Sequence, residues 1–450
     1  MIQFLRNALS DTNPLRLMYH KLLAMTAAVR YGFPANKLKV IGVTGTNGKT
    51  STVNLIAAIL EEAGKKVGMT TTINFQVGDK KWSNKSKITT QGPFFMQKIL
   101  SEMVKNGVEY AVLEVSSHAI LQNRIWGINF DTAVITNISR DHIEYHGGLE
   151  AYINTKAKLF ESLNVSKRKI NTPKISVMNI DDGHYEKFNR YVADKKITYG
   201  TRGTCKALNI QYSPSGSTFT ISIPNEQVEV KSNLPGDFNV YNVLAATACV
   251  VGQGINLQIV KNALAKFMGV PGRSEIVDVG QSYTVVVDYA HVPEALENIC
   301  RLFKRQLPEE NKIIVVFGAT GGGRDKGKRP KMGATVNEYA DMIVLTNDDP
   351  YTEDQWTIIQ DVSKGIPRKE GENFWKILDR REAIRLALTY AKKGDVVIVA
   401  GKGAEEVIAI GTEMIPWNDK KVIKDLLSRE VKIEIAPGQF KDLPNVCYEA

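Results

Sequence analysis

The chain has 450 residues, 43% of them hydrophobic and 24% charged. At roughly 100–200 residues per domain that is several ordinary globular domains, which excludes a wholly disordered chain, a collagen and a disulfide miniprotein. Lys+Arg outnumber Asp+Glu by 58 to 48, and the resulting +10 suits an anionic partner such as a nucleotide or phosphosugar without selecting one.

The four cysteines are Cys205, Cys249, Cys300 and Cys447. No two form a Cys-x-x-Cys pair, so neither a zinc ribbon nor a thioredoxin-like site is expected, and the thiols read as reduced. There is no apolar run long enough to span a bilayer and no signal-peptide layout. Near the N-terminus, Pro14–Tyr31 reads as a helix with Asn13 as its cap, Pro14 in its first turn and Gly32 at its end. Leu15, Met18, Leu22 and Met25 share one side of it, with Arg16, Lys21 and Arg30 interleaved. Packing on the next domain is the ordinary reading. Peripheral contact with an anionic membrane is the most that a membrane role would amount to.

Strands then alternate with helices, the pattern of α/β domains with parallel sheets. Lys39–Val43 is an apolar strand, followed by a Gly-rich turn and a helix from about Ser51 to Ala63. Lys66–Thr70, Tyr110–Val115, Thr132–Ile135 and Ile175–Met178 are further strands. From about Lys206 to Val230 the alternation of apolar and polar residues predicts an antiparallel hairpin on a sheet edge, and a helix follows over Val240–Val251. Val270-Pro271-Gly272-Arg273 reads as a linker. Beyond it, Val285–Asp288, Ile313–Phe317, Met342–Leu345 and Val396–Ala400 form a second strand series, and Glu434–Ala450 reads as a loose tail.

The strongest chemical signal is Gly42-Val43-Thr44-Gly45-Thr46-Asn47-Gly48-Lys49-Thr50-Ser51, set between a strand and a helix. Backbone N–H groups at such a turn and helix start meet phosphate oxygens, Lys49 adds a charge at the outer phosphates, and Thr50 offers a hydroxyl to Mg2+. Val43 stands where a Walker A loop would begin with Gly. Glu114 ends an apolar strand and is placed to hold the metal on a triphosphate, with the polar run Ser116-Ser117-His118 after it. Thr136-Asn137-Ile138-Ser139-Arg140-Asp141-His142 follows the next strand in the same way.

Together with Tyr145-His146-Gly147, Gly236-Asp237-Phe238-Asn239, Asn242, Pro271-Gly272-Arg273, Asp288-Tyr289-Ala290-His291, Arg324-Asp325-Lys326-Gly327-Lys328-Arg329-Pro330 and Gly401-Lys402-Gly403, these runs resemble the Mur ligase family. Members of that family are ATP-dependent amide-forming enzymes of peptidoglycan precursor synthesis. The similarity runs from about Lys39 to Lys421 and is nearest to the branch that adds the third residue of the stem peptide.

The resemblance implies a P-loop ATPase domain over residues 38–271 and a Rossmann-like α/β amino-acid-binding domain over 272–450. The first 37 residues would be a helical stub in place of the uridine-binding domain. It implies a cytoplasmic, monomeric ligase that uses ATP and Mg2+ and acts on a UDP-muramyl-peptide and an amino acid. The nucleotide would meet Thr46, Asn47, Gly48, Lys49, Thr50, Ser51 and Asn137, together with Arg273, Asp288 and His291 of the second domain. Thr50 and Glu114 would hold one Mg2+. Glu114, His142 and a carbamylated Lys156 would hold the other, with Lys158 as the rival lysine. Thr89, Thr90, Ser116, Gln122 and Arg124 would read the muramyl-peptide. Arg329 would take the α-carboxylate of the amino acid, with Gly401 beside it and Glu405 for its amine.

Asp348-Asp349-Pro350-Tyr351 departs from the Asp-Asn-Pro-Arg of diaminopimelate-adding members. With no Arg at Tyr351 and an extra acid at Asp349, an L-lysine-like amino acid is favoured over meso-diaminopimelate. Other readings are a related ligase acting on a different carrier or acid (pseudomurein-type or polyglutamate-type), a non-catalytic scaffold relative, and a nucleic-acid-binding P-loop ATPase. The last lacks a basic, aromatic-interleaved patch, so no nucleic acid is expected.

Overall fold

The computed structural model describes residues 13–86, 88–139, 143–213, 216–323 and 325–428, and the backbone alone of 143, 144, 431–436 and 439–443. His142, with Arg140 and Asp141, therefore lies outside the described residues, as do Arg324 and Cys447. The chain divides into two compact units that meet in sequence at residue 268/269.

The first unit is built on an eight-stranded sheet. Its strands are β1 (Lys39–Thr44), β2 (Val67–Thr70), β3 (Asn74–Val77), β4 (Lys80–Ser83), β5 (Tyr110–Glu114), β6 (Thr132–Ile135), β7 (Ile175–Asn179) and β8 (Lys195–Tyr199), in the order β4-β3-β2-β5-β1-β6-β7-β8. Strands β2, β5, β1, β6, β7 and β8 run parallel, and β3 and β4 add an antiparallel ribbon at one edge. Strands β1, β2, β5, β6 and β7 are almost wholly buried, which is why they read as continuous apolar runs rather than as alternating ones. Ile41 and Val43 face a core shared with the helices Lys49–Glu62, Asp237–Gly252 and Leu257–Lys266. Val40, on the other face, packs with Met96, Leu100, Leu159 and Phe160 of the helices Pro93–Lys105 and Leu149–Val165. From β1 the chain first builds β2 and β5 on one side and then crosses to β6 on the other. The carboxyl ends of β5, β1 and β6 thus form a topological switch point, where α/β sheets bind ligands.

The helix Pro14–Arg30 forms as its sequence predicts. Asn13 Oδ1 accepts from Leu15 N at 3.0 Å, Pro14 occupies the first turn, and Gly32 ends it at φ +66°. It belongs to the first unit. The segment expected as an edge hairpin is instead a separate three-stranded antiparallel sheet, β9 (Lys206–Ser213), β10 (Gly216–Ile223) and β11 (Glu226–Ser232), in the order β11-β10-β9. Phe219, Ile221 and Val230 bury its inner face in the core, and this explains the alternation.

In the second unit, β12 (Glu275–Ile276), β13 (Thr284–Asp288), β14 (Ile313–Phe317), β15 (Met342–Leu345), β16 (Phe374–Lys376) and β17 (Val396–Ala400) form a sheet ordered β12-β13-β17-β14-β15-β16, parallel except for β12. The hairpin of β18 (Val407–Ile410) and β19 (Glu413–Pro416) follows. The expected loose tail is corrected in part: β20 (Val431–Ala436) pairs antiparallel with β21 (Gln439–Leu443). Its signal is the β-branched alternation Val431, Ile433, Ile435, which the nearby prolines obscured. Cys205, Cys249 and Cys300 are buried free thiols, and burial pushes Cys205 and Cys300 up to about 12, so they are inert at neutral pH. Among the described residues, no helix is long and apolar enough to cross a membrane.

Candidate functional site

In the first unit the parallel register sets Val43 beside Glu114 and Thr44 beside Ile135, so the Gly-rich loop after β1 lies between the ends of β5 and β6. The loop needs two glycines for steric reasons. Gly45 has φ +140°, and a Cβ there would sit 1.8 Å from Thr136 Oγ1. Gly48 has φ +81°, and a Cβ there would sit 2.2 Å from Asn242 Oδ1. Gly48 caps the helix Lys49–Glu62 in the left-handed region without a side-chain bond, leaving the helix N-terminus to backbone N–H groups.

Thr46 and Asn47 are tied to the segment after β6. Thr46 N donates to Asn137 O at 2.8 Å, and Asn47 N to Asn137 Oδ1 at 3.1 Å. Asn137 Nδ2 and Thr136 Oγ1 donate back to Asn47 O at 3.1 and 2.7 Å. Lys49 Nζ donates to Thr46 O at 2.6 Å, curled over its own loop. Thr50 and Ser51 are buried in the first helical turn.

Glu114 is 1% exposed and gathers three donors: Thr50 Oγ1 at 3.0 Å, Thr72 N at 2.8 Å and Thr72 Oγ1 at 3.0 Å. Thr72 was not singled out by its sequence, since a Thr70-Thr71-Thr72 run after a strand looks like an ordinary turn. Lys156, on the helix Leu149–Val165, is 2% exposed, and its Nζ donates to Gly45 O at 2.7 Å and lies 4.5 Å from the Tyr152 ring centre. Tyr152 Oη in turn is 3.0 Å from Thr46 Oγ1. Lys156 thus reaches the P-loop from a neighbouring element, whereas Lys158 points away and is exposed.

Beside this lies a second polar group. Thr90 Oγ1 donates to Glu114 O at 2.9 Å and accepts from Ser116 N at 3.0 Å, and Thr89 Oγ1 is 3.1 Å from Thr72 Oγ1. Arg124 donates to Thr90 O at 2.8 Å and grips Gln122 Oε1 with Nε and Nη2, at 3.0 and 2.7 Å. Gln122 Nε2 donates to Tyr145 Oη at 2.7 Å. The five residues expected to read a peptide form one connected network with Glu114.

The second unit gathers its motifs at the carboxyl ends of β13 and β17. A Cβ on Gly272 (φ +64°) would sit 2.0 Å from Ala404 N, so the linker run and the Gly401-Lys402-Gly403 loop touch backbone to backbone. Asp288 accepts from Ser274 N at 2.6 Å and Ala290 N at 2.8 Å. Burial pushes its carboxyl above the usual range, against the pull of Arg273 and those N–H groups. The Arg273 guanidinium lies 4.6 Å from the Tyr289 ring centre, and His291 donates through Nδ1 to Tyr289 O at 2.8 Å.

Two expectations change here. Asp348 and Asp349 do not face an open pocket. Both are buried, with Lys402 Nζ 2.7 Å from Asp349, 2.5 Å from Glu405 and 3.7 Å from Asp348. Asp349 also accepts from Ala409 N at 2.8 Å, so the pair pins the chain rather than repelling a ligand. Burial holds the Asp348 carboxyl above the usual range, with Lys402 and Arg380 pulling it back. Arg329, expected at a substrate carboxylate, is fully buried and already held: Nη1 and Nη2 each reach Glu353 at 2.8 Å, and Nη1 reaches Asp361 at 3.1 Å. Hydrogen bonds from Arg329 and then Lys326 draw the Glu353 carboxyl down to about 2. Glu353, Lys326, Tyr351, Gly322 and Gly323 line a cavity of about 540 Å³. Tyr351, at φ +51°, packs its ring against Gly322, where a Cβ would sit 2.7 Å from the ring. Neither Glu353 nor Lys402 was given a role from the sequence, because a lone acid or lysine in a loop carries no signal of its pairing.

The chain matches the Mur ligase middle domain over residues 43–250 and the Mur ligase glutamate ligase domain over residues 272–403. It is 40% identical over 411 residues to a UDP-N-acetylmuramoyl-L-alanyl-D-glutamate–2,6-diaminopimelate ligase of Clostridium tetani, covering 90% of this chain and 81% of the relative. The Bacillus cereus enzyme of the same name is 41% identical over 414 residues, 92% of this chain and 82% of the relative. A solved structure of a ligase of that name superposes with a TM-score of 0.61 at 34% identity, covering 86% of this chain and 78% of that one. With both matched segments carrying the clustered residues described above, this chain belongs to the Mur ligase family and is an ATP-dependent, amide-forming ligase.

Proposed function

We propose that the chain joins a diamino acid, as third stem residue, to UDP-N-acetylmuramoyl-L-alanyl-D-glutamate in the cytoplasm, as a monomer. The observation that carries the reading is the Thr50–Glu114 contact beneath a helix N-terminus, with Lys49 above it and buried Lys156 reaching the same loop. Thr50 and Glu114 offer hard oxygen donors of the kind Mg2+ prefers. In our reading they hold one ion, and Glu114, His142 and a carbamylated Lys156 hold the other. A bare ammonium cannot ligate a cation, and carbamylation gives Lys156 anionic oxygens. Mg2+ when bound neutralises charge on the triphosphate.

The substrate carboxylate attacks the γ-phosphorus of ATP, forming an acyl phosphate and releasing ADP. The amine of the incoming residue then attacks the acyl carbon, and phosphate leaves. The P-loop N–H groups and Lys49 hold the phosphates in line and balance their charge, which is most of what phosphoryl transfer asks of a protein. Arg273, Asp288 and His291 are assigned to the nucleotide. Thr89, Thr90, Ser116, Gln122 and Arg124 are assigned to the muramyl-peptide.

For the amino acid we favour L-lysine or a similar single-carboxylate diamine. Tyr351 supplies no charge for a distal carboxylate, and the acid lining the cavity is Glu353. Lys326, paired with Glu353 at 2.9 Å, is the cation beside it, while Arg329 holds Glu353 in place and Glu405 and Gly401 complete the assigned set. meso-Diaminopimelate is the second reading, favoured by the names of the relatives. Competition between the two amino acids at equal concentration, with the tripeptide products separated by mass, decides between them. Excess lysine product supports our reading and excess diaminopimelate product overturns it. Absence of ATP-dependent phosphate release with either overturns the substrate assignment.

A further inference from the structure

The helix Pro14–Arg30 is apolar on two opposite sides. At 3.6 residues per turn, Ala24, Ala27 and Ala28 share one side. All three are completely buried in the first unit, where the helix packs on Pro93–Lys105. The opposite side carries Leu15, Met18, Tyr19, Leu22, Met25 and Val29, which are 38–68% exposed. Helical spacing also places the charges. Lys21 borders this stripe on one flank, and Arg16 and Arg30 border it on the other. The helix contains no Asp or Glu. None of these side chains belongs to the site described above.

We propose that this face docks the protein on an anionic lipid surface. A helix lying in a membrane interface presents this pattern: large apolar side chains pointing down, an aromatic residue among them, and cations along both flanks that reach phosphate headgroups. The charge selects this occupant over a second copy of the chain. A symmetric helix pair would bring Lys21 and Arg30 toward cations of their own kind, from a helix whose own sequence offers no acid. The net charge of +10 adds a long-range attraction to the same surface. The proposal does not depend on the ligase substrate.

The test is co-sedimentation of the full chain with vesicles of phosphatidylcholine alone and of phosphatidylcholine with a third phosphatidylglycerol. The chain is expected to bind the anionic vesicles, to release as salt is raised, and to ignore the neutral ones. Lys21→Gln should weaken binding about fivefold, and adding Arg30→Gln about fivefold again. Met18→Glu with Leu22→Glu should abolish binding and leave the melting temperature and ATP turnover unchanged. Should that pair disturb the fold, Tyr19→Trp gives an independent reading: its emission should shift to the blue on anionic vesicles only. Equal binding to both vesicle types, no binding to either, or a dimer that Leu22→Glu dissolves and that does not bind vesicles would each overturn the proposal.

Discussion

Removing the Glu114 side chain separates structure from chemistry in a way the geometry makes quantitative. Glu114→Ala strips the acceptor from Thr50 Oγ1, Thr72 N and Thr72 Oγ1. Thr72 Oγ1 keeps Thr89 as a partner at 3.1 Å, and half-buried Thr72 N has some access to water. Thr50, 4% exposed, has little. Hydrogen bonds to a charged acceptor contribute about 1.5–3 kcal/mol each, and with these partial substitutes the expected loss is about 3 kcal/mol. For a unit of this size that lowers the unfolding midpoint by roughly 6–12 °C. Glu114→Gln keeps one oxygen acceptor and the shape, and should lose about 1 kcal/mol or less. Both substitutions remove the carboxylate assigned to Mg2+, so both should reduce ATP turnover by at least about a hundredfold. Thermal melts of the two variants, run beside phosphate release across a magnesium titration, measure both effects. A Glu114→Gln enzyme with near-wild-type turnover and an unchanged magnesium requirement would refute the reasoning.

Lys156→Ala should be nearly inactive and partly rescued by a small carboxylic acid that fills the vacated space. Lack of rescue, or mass spectrometry finding an unmodified Lys156 in active enzyme, would count against carbamylation. Gly48→Ala must adopt φ +81° and meets Asn242 Oδ1, so it should lose stability and turnover together. Adding Asn242→Ala should restore part of the stability by removing the clash but leave the backbone strain, as melts of the double variant would show. Glu353 titrates near 2 because Arg329 and Lys326 hold its charged form. Its stabilising contribution is therefore full above the ordinary carboxylate range, near 4.5, and is lost as pH falls toward 2. The difference in midpoint between wild type and Glu353→Gln should accordingly shrink across that window, and a constant difference would contradict the assignment.

The parallel strands were legible because both faces are buried: Thr132–Ile135, Ile313–Phe317, Met342–Leu345 and Val396–Ala400 have the bounds their apolar runs predict. The P-loop was legible because its glycines answer local demands on φ and on space. What stayed hidden was pairing across long separations. Nothing near Arg329 in sequence announces that Glu353 and Asp361 occupy it, or that Lys402 neutralises Asp349 and leaves the cavity to Tyr351 and Glu353. Likewise the ribbon β3–β4 is too short and too polar to stand out, with Lys80–Ser83 largely exposed, and it is defined only by its pairing with β2. The inner face of the Pro14–Arg30 helix is made of alanines, a weak signal beside the larger apolar residues left outside.

The central claim is that a substrate carboxylate is phosphorylated before the amide forms, and an isotope decides it. With oxygen-18 in the acceptor carboxylate, attack on the γ-phosphorus puts one labelled oxygen in the C–O–P bridge. Expulsion by the amine then carries that oxygen away on phosphate. The account predicts one labelled oxygen in the phosphate released for each amide formed. Unlabelled phosphate accompanying labelled amide product would contradict it.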